Sequence, residues 1–239
     1  MPAHVELSNV RHGISSNKNC RSIILSSKQI RDAVESGRDS LRMAGIVPSL
    51  PLLDSIAAYI ELLLRWNRKL NLTSITEPRE IMSRNFAESF LAARWFSSRE
   101  GRLCDVGSGA GFPGLALKLI LPQWRLILIE PSSKKSAFLA EAVRILSLQN
   151  VRIERKGWQD TNIPEVYLDA ITSRALGGHQ EMANWASKRL TGRGRLILWL
   201  GARDADRMAT ISGWSWERLP VPGSRERVIL AGSVVAPLR

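Results

Sequence analysis

The clearest indication of the fold is a glycine-rich segment, Asp105-Val-Gly107-Ser-Gly109-Ala-Gly111-Phe-Pro-Gly114. It follows a short aliphatic run at residues 103–106, which has the length of a buried strand, and it precedes an apolar helical pattern at residues 115–121. Glycines at such a turn let the chain reverse tightly and let a ligand approach the backbone. The helix that follows offers free N–H groups at its start. This pattern predicts a strand–turn–helix unit that binds a cofactor.

Two cofactors fit this turn. Gly109, Gly111 and Gly114 satisfy the G-x-G-x-x-G pattern, in which the turn holds the pyrophosphate of a dinucleotide such as NAD. Asp105 and the glycines after it also fit the turn that wraps the amino-acid end of S-adenosylmethionine. Both cofactors require an acid at the end of the next strand to bind the ribose hydroxyls, and Glu130 supplies it. The residues therefore predict an adenosyl cofactor without choosing between methyl and hydride transfer.

The chain from residue 101 onward alternates short aliphatic runs with helical stretches. Alternation of this kind predicts right-handed crossovers and a mostly parallel, doubly wound sheet. A Pro222-Gly223 turn separates the final two runs and predicts a terminal antiparallel hairpin. The predicted fold class is α/β with a Rossmann-like sheet. The predicted strands are residues 103–106, 124–130, 151–154, 168–173, 195–200, 215–219 and 227–231.

The chain before residue 101 has a different character. Apolar residues recur at three- and four-residue steps between residues 52 and 70, and a second helix is predicted to start at Pro78. Residues 28–100 are thus expected to form a small helical N-terminal part, and residues 101–239 the cofactor-binding domain. Residues 1–27 are rich in serine and basic residues, so we expect a disordered extension, with an organelle transit peptide as the alternative.

Composition narrows the functional classes. The 239 residues carry a net charge of +12 and a pI of about 10.6, which indicates a polyanionic partner such as RNA. No run approaches the ~18 apolar residues of a membrane helix, so no membrane partner is expected. Two cysteines cannot form a disulfide framework, which favours a reducing, cytoplasmic location. No Cys/His cluster has the spacing of a metal site, and we expect a monomer.

Four further stretches of the sequence have a distinctive pattern. They are Trp66-Asn-Arg-Lys-Leu-Asn71-Leu-Thr73-Ser-Ile, Arg84-Asn85-Phe-Ala-Glu88-Ser89, Ile171-Thr-Ser173-Arg174-Ala175 and Glu226-Arg227-Val228. Together with the glycine turn, they resemble the bacterial small-subunit ribosomal RNA methyltransferase G family, also called glucose-inhibited division protein B. The resemblance runs from about residue 28 to residue 232.

The resemblance implies a class I methyltransferase fold and a specific reaction. Family members use S-adenosylmethionine to methylate N7 of a guanine in 16S rRNA, so 16S rRNA or the small ribosomal subunit is the implied partner. Because N7 carries an in-plane lone pair, we assign no general base, and alignment of the reactants supplies most of the rate. The implied cofactor-binding residues are Gly107 and Phe112 with Asp105, Gly109 and Gly111 in the turn, Glu130 at the ribose, Trp158 and Gln159 at the adenine, and Arg174. The residues expected to contact the substrate are Arg84, Asn85 and Arg227.

Three positions depart from the family pattern and leave alternatives open. Asn85 stands where the family usually has histidine, Leu200 where it has lysine, and Gln159 where it has an acid. One alternative is therefore a diverged methyltransferase paralogue that binds RNA with another target or without turnover. The second alternative is an NAD-dependent oxidoreductase, although no His, Lys or Tyr with a supporting motif is present to transfer the proton.

Overall fold

A computed structural model describes residues 25–164, 167–174 and 177–235 of the chain. The extension predicted over residues 1–27 lies outside the described residues except for its last three positions. There, Ser26 caps the first helix: its hydroxyl accepts a hydrogen bond from the Gln29 amide, and the Gln29 side chain accepts one from the Ser26 amide. The first described helix therefore begins next to residue 28, where the helical N-terminal part was expected to start.

The described residues before the sheet are helical. Helix α3 carries the predicted apolar stripe on its buried face, and α4 begins at Pro78 as predicted. Helix α4 is followed by a π-helical segment, Met82–Ala87. After a further short helix, a 3-10 segment, Leu91–Trp95, completes this helical part of the chain. The α-helices are α1 (Ser27–Ser36), α2 (Arg38–Met43), α3 (Leu50–Leu70), α4 (Pro78–Ile81) and α5 (Glu88–Phe90).

A seven-stranded sheet follows, in the order β3-β2-β1-β4-β5-β7-β6. Strands β1 to β5 are parallel, and β7 runs antiparallel to both β5 and β6, which confirms the predicted fold class. The strands are β1 (Arg102–Val106), β2 (Arg125–Ile129), β3 (Val151–Glu154), β4 (Leu168–Arg174), β5 (Leu190–Gly201), β6 (Trp214–Pro220) and β7 (Arg227–Val234). The helices between them are α6 (Gly114–Ile120), α7 (Ser133–Ile145), α8 (His179–Arg189) and α9 (Ala202–Ala209).

The sheet lies between two layers of helices, and its side chains alternate between them. Leu103 packs with one hydrophobic cluster, which includes residues of α3, α6 and α7, and its neighbour Cys104 packs with a second cluster around α8 and α9. This alternation is the period of two that a strand imposes. The first cluster joins the N-terminal helices to the sheet in one core, so the domain division at residue 100 stays a prediction.

The segment between β4 and β5 differs from expectation. No element was predicted between residues 173 and 195, but His179 begins α8, a helix whose N-cap is Gly178 in the left-handed conformation. One face of this helix is buried, as expected for a helix that packs on the sheet. The buried residues are Met182, Ala183, Trp185 and Ala186, which recur at steps of one and three residues. Strand β5 also begins at Leu190, earlier than the predicted residue 195, because Leu190 pairs with Leu168.

Candidate functional site: a glycine loop beside an arginine-lined cavity

The strand order places the site at one edge of the sheet. Strands β1 and β4 are neighbours, although they lead to helices on opposite faces. In open α/β sheets a crevice opens beyond the carboxyl ends of two such strands, and ligands bind there. The glycine turn leaves β1 at this edge, and Arg174 ends β4 beside it.

The glycine turn forms a tight loop over the ends of β1 and β2. The amides of Gly107 and Ser108 both donate to the carbonyl of Ile129, which fastens the loop to the neighbouring strand. Gly111 has a φ of 81°, and a Cβ atom there would overlap the hydroxyl of Tyr59. Glycine is therefore required at this position both by backbone conformation and by the closeness of helix α3.

Tyr59 of helix α3 anchors the glycine loop through its side-chain hydroxyl. Its hydroxyl donates a 2.6 Å hydrogen bond to the carbonyl of Ala110, and burial raises the pKa of the phenol well above its usual value, so it remains a donor. Its ring stacks on Phe112, and Phe86 meets both rings edge-on. The Phe112 side chain is thus buried in an aromatic cluster, and its contact with a cofactor stays a prediction. Sequence reasoning placed Tyr59 on the buried stripe and missed the role of its hydroxyl.

Asp105 lies beneath the same loop. It is fully buried, and its Oδ1 accepts a 2.8 Å hydrogen bond from the hydroxyl of Thr172 on β4. Gly114 packs so closely that a Cβ atom there would lie 2.7 Å from Asp105 Oδ2. Burial raises the pKa of Asp105 to about 6, although hydrogen bonds from Thr172 and Ser108 oppose the shift. In this arrangement Asp105 supports the loop and joins β1 to β4, while its predicted contact with a cofactor stays a prediction.

Glu130 occupies the expected place at the end of β2. One carboxylate oxygen accepts a 2.9 Å hydrogen bond from the amide of Gly109, and the other accepts one of 2.9 Å from the amide of Ser132. The side chain is nearly buried, so the two amides hold the carboxylate firmly. An acid fixed between the glycine loop and the start of α7 fits the ribose-binding position that the sequence predicts.

Trp158 and Gln159 lie beyond the end of β3. They belong to a 3-10 turn, Trp158–Asp160, in which Gln159 is exposed and Trp158 is half-buried. The Trp158 ring meets Trp185 of α8 edge-on, with 5.7 Å between the ring centroids. Trp158 and Gln159 therefore lie near the end of β3, where the predicted arrangement would place an adenine. The contact with Trp185 fixes the orientation of the Trp158 ring.

Arg174 and the three predicted substrate residues gather on the other side of the loop. Arg174 donates a 3.1 Å hydrogen bond to the carbonyl of Arg84, and it lies 3.8 Å from a carboxylate oxygen of Glu88. Arg227 donates a 2.9 Å hydrogen bond to the other oxygen of Glu88. Asn85 is buried in the π-helical segment, a geometry found frequently at functional sites.

Glu88 is the residue of this group that sequence reasoning missed. Its side chain is only 7% exposed, and its backbone carbonyl accepts a hydrogen bond from the indole of Trp199 on β5. Glu88 stands four residues after Arg84 in one of the quoted stretches, which was the available signal. A cavity of about 510 Å³ opens beside it, lined by Arg174, Arg227, His179 and Leu200 among others.

Burial lowers the pKa of Arg174, and nearby charges act on it in both directions. The carboxylate of Glu88 raises this pKa, whereas the positive charges of Arg84 and Arg227 lower it further. Arg84 and Arg227 therefore lie close enough to repel Arg174, while Arg174 and Arg227 share the buried carboxylate of Glu88. The arrangement has the charge and the cavity needed to receive an anionic group.

The tryptophan-containing stretch of the sequence has a structural explanation. The Trp66 indole donates to Glu141 of α7 at 2.7 Å, and Arg65 pairs with the other oxygen of that carboxylate. Asn67 exchanges two hydrogen bonds with the backbone of Thr73, which closes the turn after α3. Arg65 and Trp66 thus fix α3 against α7, in the part of the chain that forms the sheet.

Metal clusters and membrane-spanning helices are both absent from the residues that the structure describes. Across residues 25–164, 167–174 and 177–235, no group of three or more His, Cys, Asp or Glu side chains is arranged to hold a metal ion. In the same part of the chain, every helix is too short or too polar to cross a membrane.

Solved structures share the fold. A SAM-dependent methyltransferase from Aquifex aeolicus superposes with a TM-score of 0.57 at 14% identity, over 69% of this chain and 97% of that one. A ribosomal protein L11 methylase from Lactobacillus delbrueckii subsp. bulgaricus gives a TM-score of 0.54 at 13% identity, over 64% of this chain and 80% of that one. At these identities the likeness shows the fold alone.

Sequence relatives show the family. A family model described as rRNA small subunit methyltransferase G matches residues 52–212. The ribosomal RNA small subunit methyltransferase G of Xylella fastidiosa (strain M23) is 34% identical over 213 residues, which cover 85% of this chain and 96% of the relative. The protein of the same name from Roseiflexus sp. (strain RS-1) is 33% identical over 200 residues, covering 77% and 84%. With this much of its length matched, and with the loop and fold described above, the chain belongs to the rRNA small subunit methyltransferase G family.

Proposed function

We propose that this protein transfers a methyl group from S-adenosylmethionine to N7 of a guanine in 16S rRNA of the small ribosomal subunit. The observation that carries the proposal is the glycine loop, with Glu130 bound to the Gly109 amide at the edge of a methyltransferase sheet. The family supports an rRNA substrate, and the net charge of +12 suits a polyanionic partner.

The residues present fit the cofactor. Gly107, Gly109 and Gly111 all have positive φ, so the loop presents backbone rather than side chains to a ligand. Glu130 would hold the ribose hydroxyls, and Trp158 would lie against the adenine. When bound, the cofactor supplies a methyl group on a positively charged sulfur, which makes that methyl carbon electrophilic.

The remaining task of the protein is to bind and align the guanine. Guanine N7 has an in-plane lone pair and loses no proton when it attacks, so no side chain has to act as a general base. Alignment alone can supply a large part of the barrier reduction, since effective molarities for well-oriented reactants reach about 10⁵ M or more. His179 lines the cavity at the start of α8, and the proposed mechanism assigns it no proton transfer.

The two alternatives have less support. The sequence relatives are rRNA methyltransferases, so an NAD-dependent oxidoreductase is not favoured. A paralogue with another target or without turnover remains distinguishable at the bench. Asn85 is buried and Leu200 lines the cavity, so the variant Asn85→His with Leu200→Lys tests whether these departures limit activity.

The test is methyl transfer from labelled S-adenosylmethionine to small ribosomal subunits that lack the modification. We expect label in 7-methylguanosine of 16S rRNA, and no label with subunits that already carry it. Transfer to a different nucleotide would identify a paralogue, and absence of transfer with bound cofactor would refute the proposed activity. Calorimetric titration with NAD should show no binding, whereas S-adenosylmethionine should bind. We further propose a monomer that acts in the cytoplasm, which sedimentation and fractionation can check.

A further inference from the structure

The carboxylate of Glu88 holds two arginines that belong to opposite parts of the site. Arg174 ends β4 beside the glycine loop, whereas Arg227 begins β7, two strands away in the sheet. Glu88 Oε1 lies 2.9 Å from Arg227 Nη2, and Glu88 Oε2 lies 3.8 Å from Arg174 Nη2. A carboxylate that is 7% exposed is thus shared between two guanidinium groups.

Among the described residues, Asp204 is the other acid that lines the cavity, and both it and Arg84, which contacts Arg174, are already paired. Arg84 pairs with Glu80 at 2.6 Å, and Asp204, which also lines the cavity, pairs with Arg207 at 3.4 Å. Glu88 carries one negative charge against the two positive charges of Arg174 and Arg227. One positive charge is therefore uncompensated on the wall of a cavity of about 510 Å³.

Arg227 is the more accessible of the two guanidinium groups. Its side chain is 36% exposed, compared with 22% for Arg174, and it lines this cavity and also a smaller one of about 280 Å³ next to α2. A guanidinium has five N–H donors, so a carboxylate contact leaves further donors for a second anion. The planar fork of arginine suits a phosphate as well as a carboxylate.

We propose that Glu88 is a positioning residue whose buried carboxylate holds Arg174 and Arg227 at the wall of this cavity, where their uncompensated charge binds a phosphate group of RNA. The inference rests on the proposed function in assigning the phosphate to the RNA substrate. The methionine carboxylate of the cofactor is the other anion with suitable chemistry, and the binding measurements below separate the two.

The binding experiment uses the full chain and unmodified 16S rRNA at several salt concentrations. We expect Arg227→Gln to weaken RNA binding and to lower the slope of log affinity against log salt by about 0.7 to 0.9, the value for one lost phosphate contact. Affinity for S-adenosylmethionine, measured by calorimetry, should change less than twofold. Arg193→Gln, an exposed residue of β5 before its pairing with β7, is the matched control. An unchanged slope for Arg227→Gln, or weaker cofactor binding with normal RNA binding, overturns the phosphate site.

The turnover experiment separates positioning from folding. Glu88→Gln leaves both guanidinium charges in place, so we expect RNA affinity and its salt slope to be kept or increased while kcat falls at least tenfold. Glu88→Asp keeps the charge and should recover part of kcat. If Glu88→Gln does not fold, Arg227→Lys keeps the charge without the planar fork and should likewise lower kcat with the slope unchanged. Wild-type kcat in Glu88→Gln, or in Arg227→Lys when the first variant does not fold, refutes the positioning role.

The two proposals fail in different ways. If the wild-type protein transfers no methyl group to 16S rRNA, the proposed function fails, but the salt slopes need no methyl transfer and still decide whether Arg227 binds a phosphate. If methyl transfer occurs and Arg227→Gln keeps the wild-type slope, the proposed function stands and the phosphate site does not.

Discussion

The buried carboxyl group of Asp105 makes the stability of this protein depend on pH in a direction opposite to that of most carboxylates. Burial raises the pKa of Asp105 to about 6, against a value of 3.8 in the unfolded chain. The folded state therefore binds this proton more tightly than the unfolded state does. The stabilisation that protonation provides is fully present below about pH 4, and it is lost as the pH rises through 6.

The size of the effect follows from the two pKa values. A difference of about two units at 1.36 kcal/mol per unit amounts to roughly 3 kcal/mol. Asp105→Asn removes the titration and keeps an oxygen that can accept the hydrogen bond from Thr172. The stability of the wild-type protein relative to Asp105→Asn should therefore fall by up to about 3 kcal/mol between pH 4 and pH 7.

Urea unfolding followed by tryptophan fluorescence at a series of pH values measures this difference. The comparison of two proteins cancels the titration of the other carboxylates, which both contain. Asp54→Asn, on the exposed face of α3, is the control for the exchange itself, and its stability difference should stay within about 0.5 kcal/mol across the range. A difference for Asp105→Asn that is flat, or that rises with pH, would refute the reasoning.

Three other predictions concern the glycine loop. Tyr59→Phe removes the 2.6 Å hydrogen bond to Ala110 and should lower the free energy of unfolding by about 1 kcal/mol in urea titrations, with unchanged stability contradicting the role of the hydroxyl. Gly111→Ala places a Cβ atom at a φ of 81° against that hydroxyl and should lower the free energy of unfolding by about 2–5 kcal/mol. Combining it with Tyr59→Phe removes the hydroxyl and should restore part of this loss. Strictly additive losses in the double variant would show that the clash is absent. Glu130→Gln must turn an amide N–H toward a backbone donor, either Gly109 N or Ser132 N, so calorimetry should show cofactor affinity at least tenfold weaker, and wild-type affinity would contradict the ribose role.

Local patterns in the sequence were sufficient for the elements of the fold. The aliphatic runs predicted all seven strands, and the glycine turn with Glu130 predicted the edge at which the site lies. These signals are local, because strand length, turn glycines and the acid after a strand are each read within a few residues. The bounds of helix α8 were not predicted, because its start carries no side-chain cap.

The contacts that complete the site join residues far apart in the chain. Tyr59 and Ala110 are 51 positions apart, and Arg227 and Glu88 are 139 positions apart. Periodicity could predict that Tyr59 is buried, but the partner of its hydroxyl depends on how α3 packs against the loop. The π-helical turn at Asn85 also departs from the period of 3.6 on which helix prediction relies. The charge sharing at Glu88 therefore required the structure.

The position of β7 in the sheet sets the order in which parts of the site become available during synthesis. In the sheet, β7 lies between β5 and β6, although β6 precedes it in the chain. Synthesis from the N-terminus therefore delivers the glycine loop, Glu130 and Arg174 well before Arg227, and β6 has no neighbour in the sheet until β7 is inserted. A nascent chain that has emerged only as far as β5 has every residue expected to hold the cofactor, but it lacks one of the two arginines of the proposed phosphate site. The proposed phosphate site is therefore completed late in synthesis, after most of the protein has left the ribosome that is making it.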